Sequence, residues 1–168
     1  KFVAGDFNTG FIAEHYGHGF RAEDVPHEDP DFLVALAAAA YRRYLERAAG
    51  ISGQLAGHRV VIGSDFVVVV KGDRGDHTYV PVTITVEGAT TVTVAGRHYA
   101  VANDWQFGGI RAQGTCNGRP FTAQAERHGV WLRVEHNGLR IDAQVMSARA
   151  AELLRVMPFK APLDMSRY

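Results

Sequence analysis

Histidine, cysteine, serine and lysine are the side chains here best able to bind metals or transfer groups, so their spacing is the first question. A metal site needs clustered His, Cys or carboxylate ligands at recurring spacing. The eight histidines are scattered. His15 and His18, with His27 beyond, come nearest to a cluster, but Gly17 lies within the pair and no third ligand is evident. Cys116 is the single cysteine and lies between Thr115 and Asn117 beside a turn signal. A reactive thiol would need an electropositive, exposed neighbourhood, so Cys116 reads as a small strand residue. Ser52, Ser64, Ser147 and Ser166 all lie outside any Gly-x-Ser-x-Gly elbow. There is no Gly-rich phosphate loop followed by Lys-Ser or Lys-Thr, and no strand–GxGxxG–helix unit. Asp104-Trp105-Gln106-Phe107 is a candidate ligand-facing patch, since aromatics anchor binding sites. Its alternation also puts Trp105 and Phe107 on one face, which reads as barrel packing. No catalytic, cofactor-binding or metal-ligating residue is assigned, and the chain by itself is expected not to be an enzyme.

The elements that would position these residues are one unusual helix and a long run of strands. Asp31 to Ala49 reads as a helix, with Asp29 or Asp31 as cap, Pro30 tolerated in the first turn and Gly50 as the stop. Arg42, Arg43 and Arg47 lie towards its C-terminus, where positive charge complements the helix dipole. Phe32 to Tyr41 is apolar on every side, and a helix apolar all round is buried all round. Its larger side chains are Phe32, Leu33, Leu36, Tyr41, Tyr44 and Leu45. The four consecutive alanines Ala37 to Ala40 make a thin cylinder that other chain can approach closely.

From His58 to Val145 apolar and polar residues alternate with a period of two. The pattern is clearest at Val80, Val82, Ile84 and Val86, and it recurs at Val130, Leu132 and Val134 and from Leu139 to Val145. Turns are expected at 71–75, Glu87-Gly88, Ala95-Gly96, Asn117-Gly118, His128-Gly129 and Asn137-Gly138, the two Asn-Gly pairs being the strongest hairpin signals. The segments so defined are 58–71, 76–87, 90–94, 97–103, 105–116, 119–127, 130–136 and 139–145. With every connection short, they predict an antiparallel meander. The expected fold is mainly β with one long buried helix (α+β), an antiparallel barrel of about eight strands wrapped around that central α-helix. Closure would also remove exposed edges.

Composition bounds the rest. With 46% hydrophobic and 21% charged residues, the balance is that of a globular protein. Formal net charge is zero and the pI is about 7.3, so no basic excess points to nucleic acid. The longest apolar run is about half of what a membrane span needs, and no membrane partner is expected. A lone cysteine fits a reducing compartment. Asn8 to Tyr16 reads as a short capped helix, 21–30 as a polar linker with two prolines, and Ser147 to Met157 as a helix with Ser147 as cap, stopped by Pro158. Both ends look excised from a longer chain.

Two end segments resemble a known family. Phe7-Asn-Thr-Gly-Phe-Ile-Ala-Glu-His-Tyr16, through Gly19-Phe20, resembles the closing helix of a biotin carboxylase domain. Ala151-Glu-Leu-Leu-Arg-Val-Met-Pro-Phe-Lys160 and Asp164-Met-Ser-Arg-Tyr168 resemble the run into a biotin carboxyl carrier domain of propionyl-CoA carboxylase alpha subunits. The helix and strands between them look like that family's BT domain, an inter-subunit domain.

The resemblance implies residues 1–20 as a remnant of the carboxylase domain and 21–30 as a linker. It implies a BT domain over 31–145, with central helix 31–49, hook 50–57 and barrel 58–145, and a connection over 146–168 towards a carrier domain. It implies a parent ligase that carboxylates propionyl-CoA with ATP, bicarbonate and biotin, Mg included, with none of these cofactors held by this segment. The lysines Lys1, Lys71 and Lys160 lie outside any Ala-Met-Lys-Met setting of a biotinylated lysine. The implied partners are the carboxyltransferase beta subunit and the biotin carboxylase and carrier domains of its own chain. The implied compartment is the cytoplasm of a bacterium or the mitochondrial matrix of a eukaryote. The implied hook carries Ile51, Ser52, Gln54 and Leu55, and the apolar Ile51 and Leu55 in a glycine-rich loop suit an interface anchor. Two alternatives stand beside this: the BT domain of a 3-methylcrotonyl-CoA-type carboxylase, and a small-molecule or acyl-CoA-binding barrel or thioesterase-like enzyme.

Overall fold

The computed structural model describes residues 31–58, 60–72 and 76–157, together with Gly10 and Asp29. The expectations for 8–16, for most of 21–30, for the turn at 73–75, for His15, His18 and His27, and for 158–168 lie outside the described residues.

Helix α1 spans Asp31–Ala49, and Phe32 through Ala40 are all buried. A continuous run of nine buried residues, five of them alanine at 35 and 37–40, requires a wall on every side of the helix. That wall is a closed antiparallel barrel in simple sequence order: β1 Asp65–Lys71, β2 His77–Glu87, β3 Ala89–Val94, β4 Arg97–Asn103, β5 Arg111–Cys116, β6 Arg119–His128, β7 Trp131–His136 and β8 Leu139–Met146. Closure comes from β1 pairing antiparallel with β8, Val68 opposite Val145. The alternation sets which side chains enter the lumen: Val68, Ile84, Val92, Val94, Val101, Val134 and Val145 all join the cluster around α1. The lumen is therefore filled by protein, and among the described residues no polar or charged residue is fully buried.

Three two-residue hairpins have positive φ at both central residues: Ala95-Gly96, Asn117-Gly118 and Asn137-Gly138. This is the twist that matches flanking strands, and it is why Asn-Gly is favoured there. Asn117 does more than turn. Its Oδ1 accepts from Ala100 N–H at 2.8 Å and its Nδ2 donates to His98 O at 2.8 Å, tying the β5–β6 turn to β4.

Two strands are shorter than the alternation predicts. The first begins at Asp65 rather than 58, because Val60 and Val61 both stand exposed and Gly57 has φ +82°. The fifth begins at Arg111 rather than 105, because Gly108, with φ +84°, and Gly109, whose N–H reaches Gln106 O at 2.9 Å, close a loop. On β2 only Val82 and Ile84 are fully buried; Val80 is half-buried and Val86 is exposed where the strand outruns the core. Val130 likewise lies in the turn, exposed, with β7 starting at Trp131.

The helix enters at one end and leaves at the other. At the entry, Tyr99, only 3% exposed, donates its hydroxyl to the Asp29 carboxylate at 2.7 and 2.9 Å. Arg97 pairs with the same carboxylate at 2.9 Å and with Asp31. Both candidate caps are thus occupied by barrel side chains, while the Asp29 carbonyl accepts Phe32 N–H at 3.2 Å. Helix α2, Ala148–Val156, is capped by Ser147 Oγ accepting from Ala150 N–H at 3.3 Å. It covers the outside of β1 through Ala151, which packs with Val69 and Met146.

Candidate functional site

The exit end of α1 is where the chain departs most from an ordinary globular surface. The connections β2–β3, β4–β5 and β6–β7, the start of β1 and the end of β8 all lie there, because successive antiparallel strands put alternate connections on opposite ends. Eleven large apolar side chains are exposed among the described residues. Four lie between α1 and β1: Ile51 (64% exposed), Leu55 (77%), Val60 and Val61 (90%). Four more lie at the same end: Val86 near the end of β2, and Phe107, Ile110 and Val130 in the β4–β5 and β6–β7 connections. The other three, Leu153, Val156 and Met157, are on or just after α2. A scattered exposed leucine needs no explanation, but eight large apolar residues exposed at one end among the described residues make that end the candidate contact surface.

The segment 50–57 holds its shape through Gln54. Gln54 Nε2 donates to the carbonyls of Ala48 at 3.3 Å, Ala49 at 3.0 Å and Ile51 at 3.2 Å. Its Oε1 accepts Val60 N–H at 3.3 Å. The last carbonyls of a helix have no intrahelical partner, so one amide caps α1 and fixes the loop together. Gly53 and Gly57, both at φ +82°, supply the reversals. Gln54 is half-buried, Ser52 is exposed, and Ile51 and Leu55 point away from the core. Of the central-helix residues singled out from sequence, Phe32, Leu33 and Leu36 are buried and Tyr41, Tyr44 and Leu45 pack half-buried against the core. Tyr41 meets Phe66 edge-on at 5.8 Å.

Beside this loop stands an arrangement that the linear sequence does not announce. Tyr44, Trp105 and Phe107 form an aromatic triad with centroids 5.0 to 5.6 Å apart. Trp105 is 2% exposed, and its indole N–H is shared between Gly109 O at 2.9 Å and Ala125 O at 3.0 Å. The expectation of barrel packing thus describes Trp105, whereas Phe107 is partly exposed at the rim. Each ring carries a guanidinium: Arg43 lies 5.8 Å from Trp105, Arg47 lies 4.8 Å from Phe107 and Arg127 lies 4.9 Å from Tyr44. Arg43 donates to Asn103 Oδ1 at 3.2 Å and Arg127 Nε to Gly129 O at 2.8 Å.

Among the described residues no group of three or more His, Cys, Asp or Glu is placed to hold a metal ion. Cys116 is half-buried on β5, and burial pushes its thiol pKa up, away from the reactive thiolate. The Asp104 carboxylate pairs with Arg111 at 3.1 Å and accepts Gln113 N–H at 2.8 Å, which holds the loop to β5.

Comparison with known proteins gives two findings. A family model described as the propionyl-coenzyme A carboxylase BT domain matches residues 33–160. The chain is also 32% identical over 169 residues to the propionyl-CoA carboxylase alpha chain of Ruegeria pomeroyi (strain ATCC 700808 / DSM 15171 / DSS-3). That alignment covers 99% of this chain and 24% of the relative, so the chain spans about a quarter of the relative's length.

Proposed function

The chain belongs to the propionyl-coenzyme A carboxylase BT domain family, and on that premise we propose that it is a non-catalytic assembly domain of a biotin-dependent carboxylase. In this reading it holds the biotin-bearing alpha subunit against the carboxyltransferase beta subunit. The flanking carboxylase and carrier modules of its own chain lie on either side of it. Biotin, ATP and Mg act in those modules. The parent carboxylates propionyl-CoA, and its compartment is the bacterial cytoplasm or the mitochondrial matrix.

The observation that carries the reading is the gathering of exposed apolar side chains at the exit end of α1, with Ile51 and Leu55 at the tip of a loop that Gln54 braces. Such residues add nothing to the core. They suit a partner's pocket, because a rigid apolar tip loses little entropy on docking. A ligand inside the barrel is disfavoured by the same structure, since Phe32 to Ala40 occupy the lumen.

The test is size-exclusion chromatography with light scattering on the alpha subunit mixed with the beta subunit, wild type against Ile51→Asp/Leu55→Asp. Co-elution of wild type and separate elution of the folded variant are expected. Assembly of the variant at wild-type strength would rule out the loop as the anchor.

A further inference from the structure

Resting on the assembly reading, we infer that the Arg43, Arg47 and Arg127 guanidiniums form a second, electrostatic half of the docking face, built to receive carboxylates from an acidic strip on the partner protein. Three observations lead there. The charges are uncompensated: Arg42 pairs with Glu46 at 2.8 Å and Arg111 with Asp104, yet among the described residues Arg43, Arg47 and Arg127 form no ion pair. They are also pre-positioned. Each guanidinium lies over a ring of the Tyr44–Trp105–Phe107 triad, so stacking has already removed side-chain freedom that a carboxylate partner would otherwise have to restrict. Arg43 and Arg127 each spend one N–H on a neighbour and keep the rest of a donor fork that matches a carboxylate.

The third observation is the surroundings. Phe107, Ile110 and Val130 stand exposed at the same end. An apolar rim excludes water from charge pairs once a protein surface covers it, which strengthens each pair. That frame favours a folded partner presenting Asp and Glu between apolar residues over a small free anion, which would leave the rim wet. The chemistry expected across the interface is therefore carboxylate to guanidinium inside an apolar border, next to the anchor formed by Ile51 and Leu55.

The experiment measures association of the intact alpha subunit with the beta subunit at about 50 mM and about 300 mM NaCl, where screening differs strongly. Wild type is compared with the triple variant Arg43→Gln/Arg47→Gln/Arg127→Gln, its triple Lys counterpart and Ile51→Asp/Leu55→Asp. The Gln variant is expected to bind at least about tenfold more weakly at low salt and to lose most of the salt dependence. The Lys variant should keep the salt dependence while losing part of the affinity, because charge survives and the bidentate fork does not. Circular dichroism and melting curves establish that each variant is folded, and the Lys variant controls for stacking on the rings.

If the Gln variant binds with wild-type affinity and salt slope while the Asp variant fails, the arginine inference is overturned and the assembly reading stands. If both bind as wild type, the exit end of α1 is ruled out as the docking face, and the arginine inference and the loop anchor fall together. A parallel calorimetric titration with inorganic phosphate checks the other anion source. Phosphate binding that depends on the three arginines, combined with unaltered subunit association, would assign the patch to a phosphate-bearing ligand and overturn the inference.

Discussion

Replacing Gly114 by alanine tests how tightly the barrel is drawn and how the exit end is held. An ideal Cβ at Gly114 would sit 1.9 Å from Ala102 O, 2.6 Å from Asn103 Cα and 2.8 Å from Ala102 C, where ordinary contact begins at 3.4 Å. All three atoms are backbone of β4, and β4 is fixed on its other side by pairing with β3, so no side chain can swing away. The strand must retreat by about 1.5 Å, an overpacking that costs about 1–3 kcal/mol. The retreat also opens the end of the β4–β5 ladder, where Asp104 N–H meets Gln113 O at 2.9 Å and Gln113 N–H meets Asp104 Oδ1 at 2.8 Å. Each such bond contributes about 0.5–1.5 kcal/mol. Removing a strand glycine returns about 0.5–1 kcal/mol of conformational entropy. The net expectation is a loss of about 2–4 kcal/mol, a urea midpoint lower by about 1–2 M at ordinary slopes. Gly96→Ala is the control: no atom lies within 4 Å of its Cβ, so it feels only φ +79°, at about 1–2 kcal/mol. Because β5 starts where the loop carrying Trp105 and Phe107 ends, splaying this pair should also weaken subunit association. An unfolding free energy for Gly114→Ala within about 0.5 kcal/mol of wild type, in the range of a surface change, would refute the close-packing argument.

Leu36→Ala, at a position 1% exposed inside the barrel, should cost about 2–5 kcal/mol in denaturant unfolding. Tyr99→Phe removes the hydroxyl that reaches Asp29 across 70 residues of sequence and should cost about 1.5–3 kcal/mol, measured the same way. Burial and the Asp29 hydrogen bond raise the Tyr99 pKa above the unfolded value of about 10. Its contribution is therefore complete below about pH 10 and is lost as pH rises further, a decline that the Phe variant should flatten in unfolding measured from pH 8 to 11. Asp142 behaves oppositely. The Arg133 hydrogen bonds, at 2.9 and 3.2 Å across the β7–β8 register, hold its carboxyl below the usual range. The resulting stability is present above the unfolded pKa of about 3.9 and is lost as pH falls through the folded value. Asp142→Asn should flatten that acid limb and cost no more than about 1 kcal/mol at pH 7, because solvent reaches the pair.

The fold was legible because its signals were redundant. Asn117-Gly118 and Asn137-Gly138 each fix a hairpin twist, and Val68, Ile84 and Val134 repeat the same inward alternation, so no single error could change the topology. An all-round apolar run from Phe32 to Ala40 then leaves only the lumen as its place. Boundaries were less legible where apolar residues are not buried. Val60 and Val61 look like strand residues by type, and only the three-dimensional course of 60–64 leaves them exposed. Trp105 and Phe107 alternate as a strand would, but the indole N–H is better satisfied by folding back to Gly109 and Ala125. The Tyr99–Asp29 bond and the arginine–aromatic stacks join positions 70, 62, 60 and 83 apart in sequence at four contacts, and no local pattern encodes such pairs.

A barrel filled by its own helix has little interior left to recognise anything with, and this decides where function can lie. Small barrels of this size hold at most one ligand when the lumen is open; here α1 gives the core its apolar area, and the strands alone could not close on vacuum. Recognition therefore moves to the ends. The entry end is sealed by Asp29, Asp31, Arg97 and Tyr99, a polar clasp that satisfies its own charges. Among the described residues the exit end does the reverse, leaving Ile51, Leu55 and Phe107 exposed beside three guanidiniums that form no ion pair. Among the described residues, two ends of one barrel built from the same strands thus differ in how far these charged and apolar groups are paired. The unpaired end is the one whose free energy a partner protein can lower.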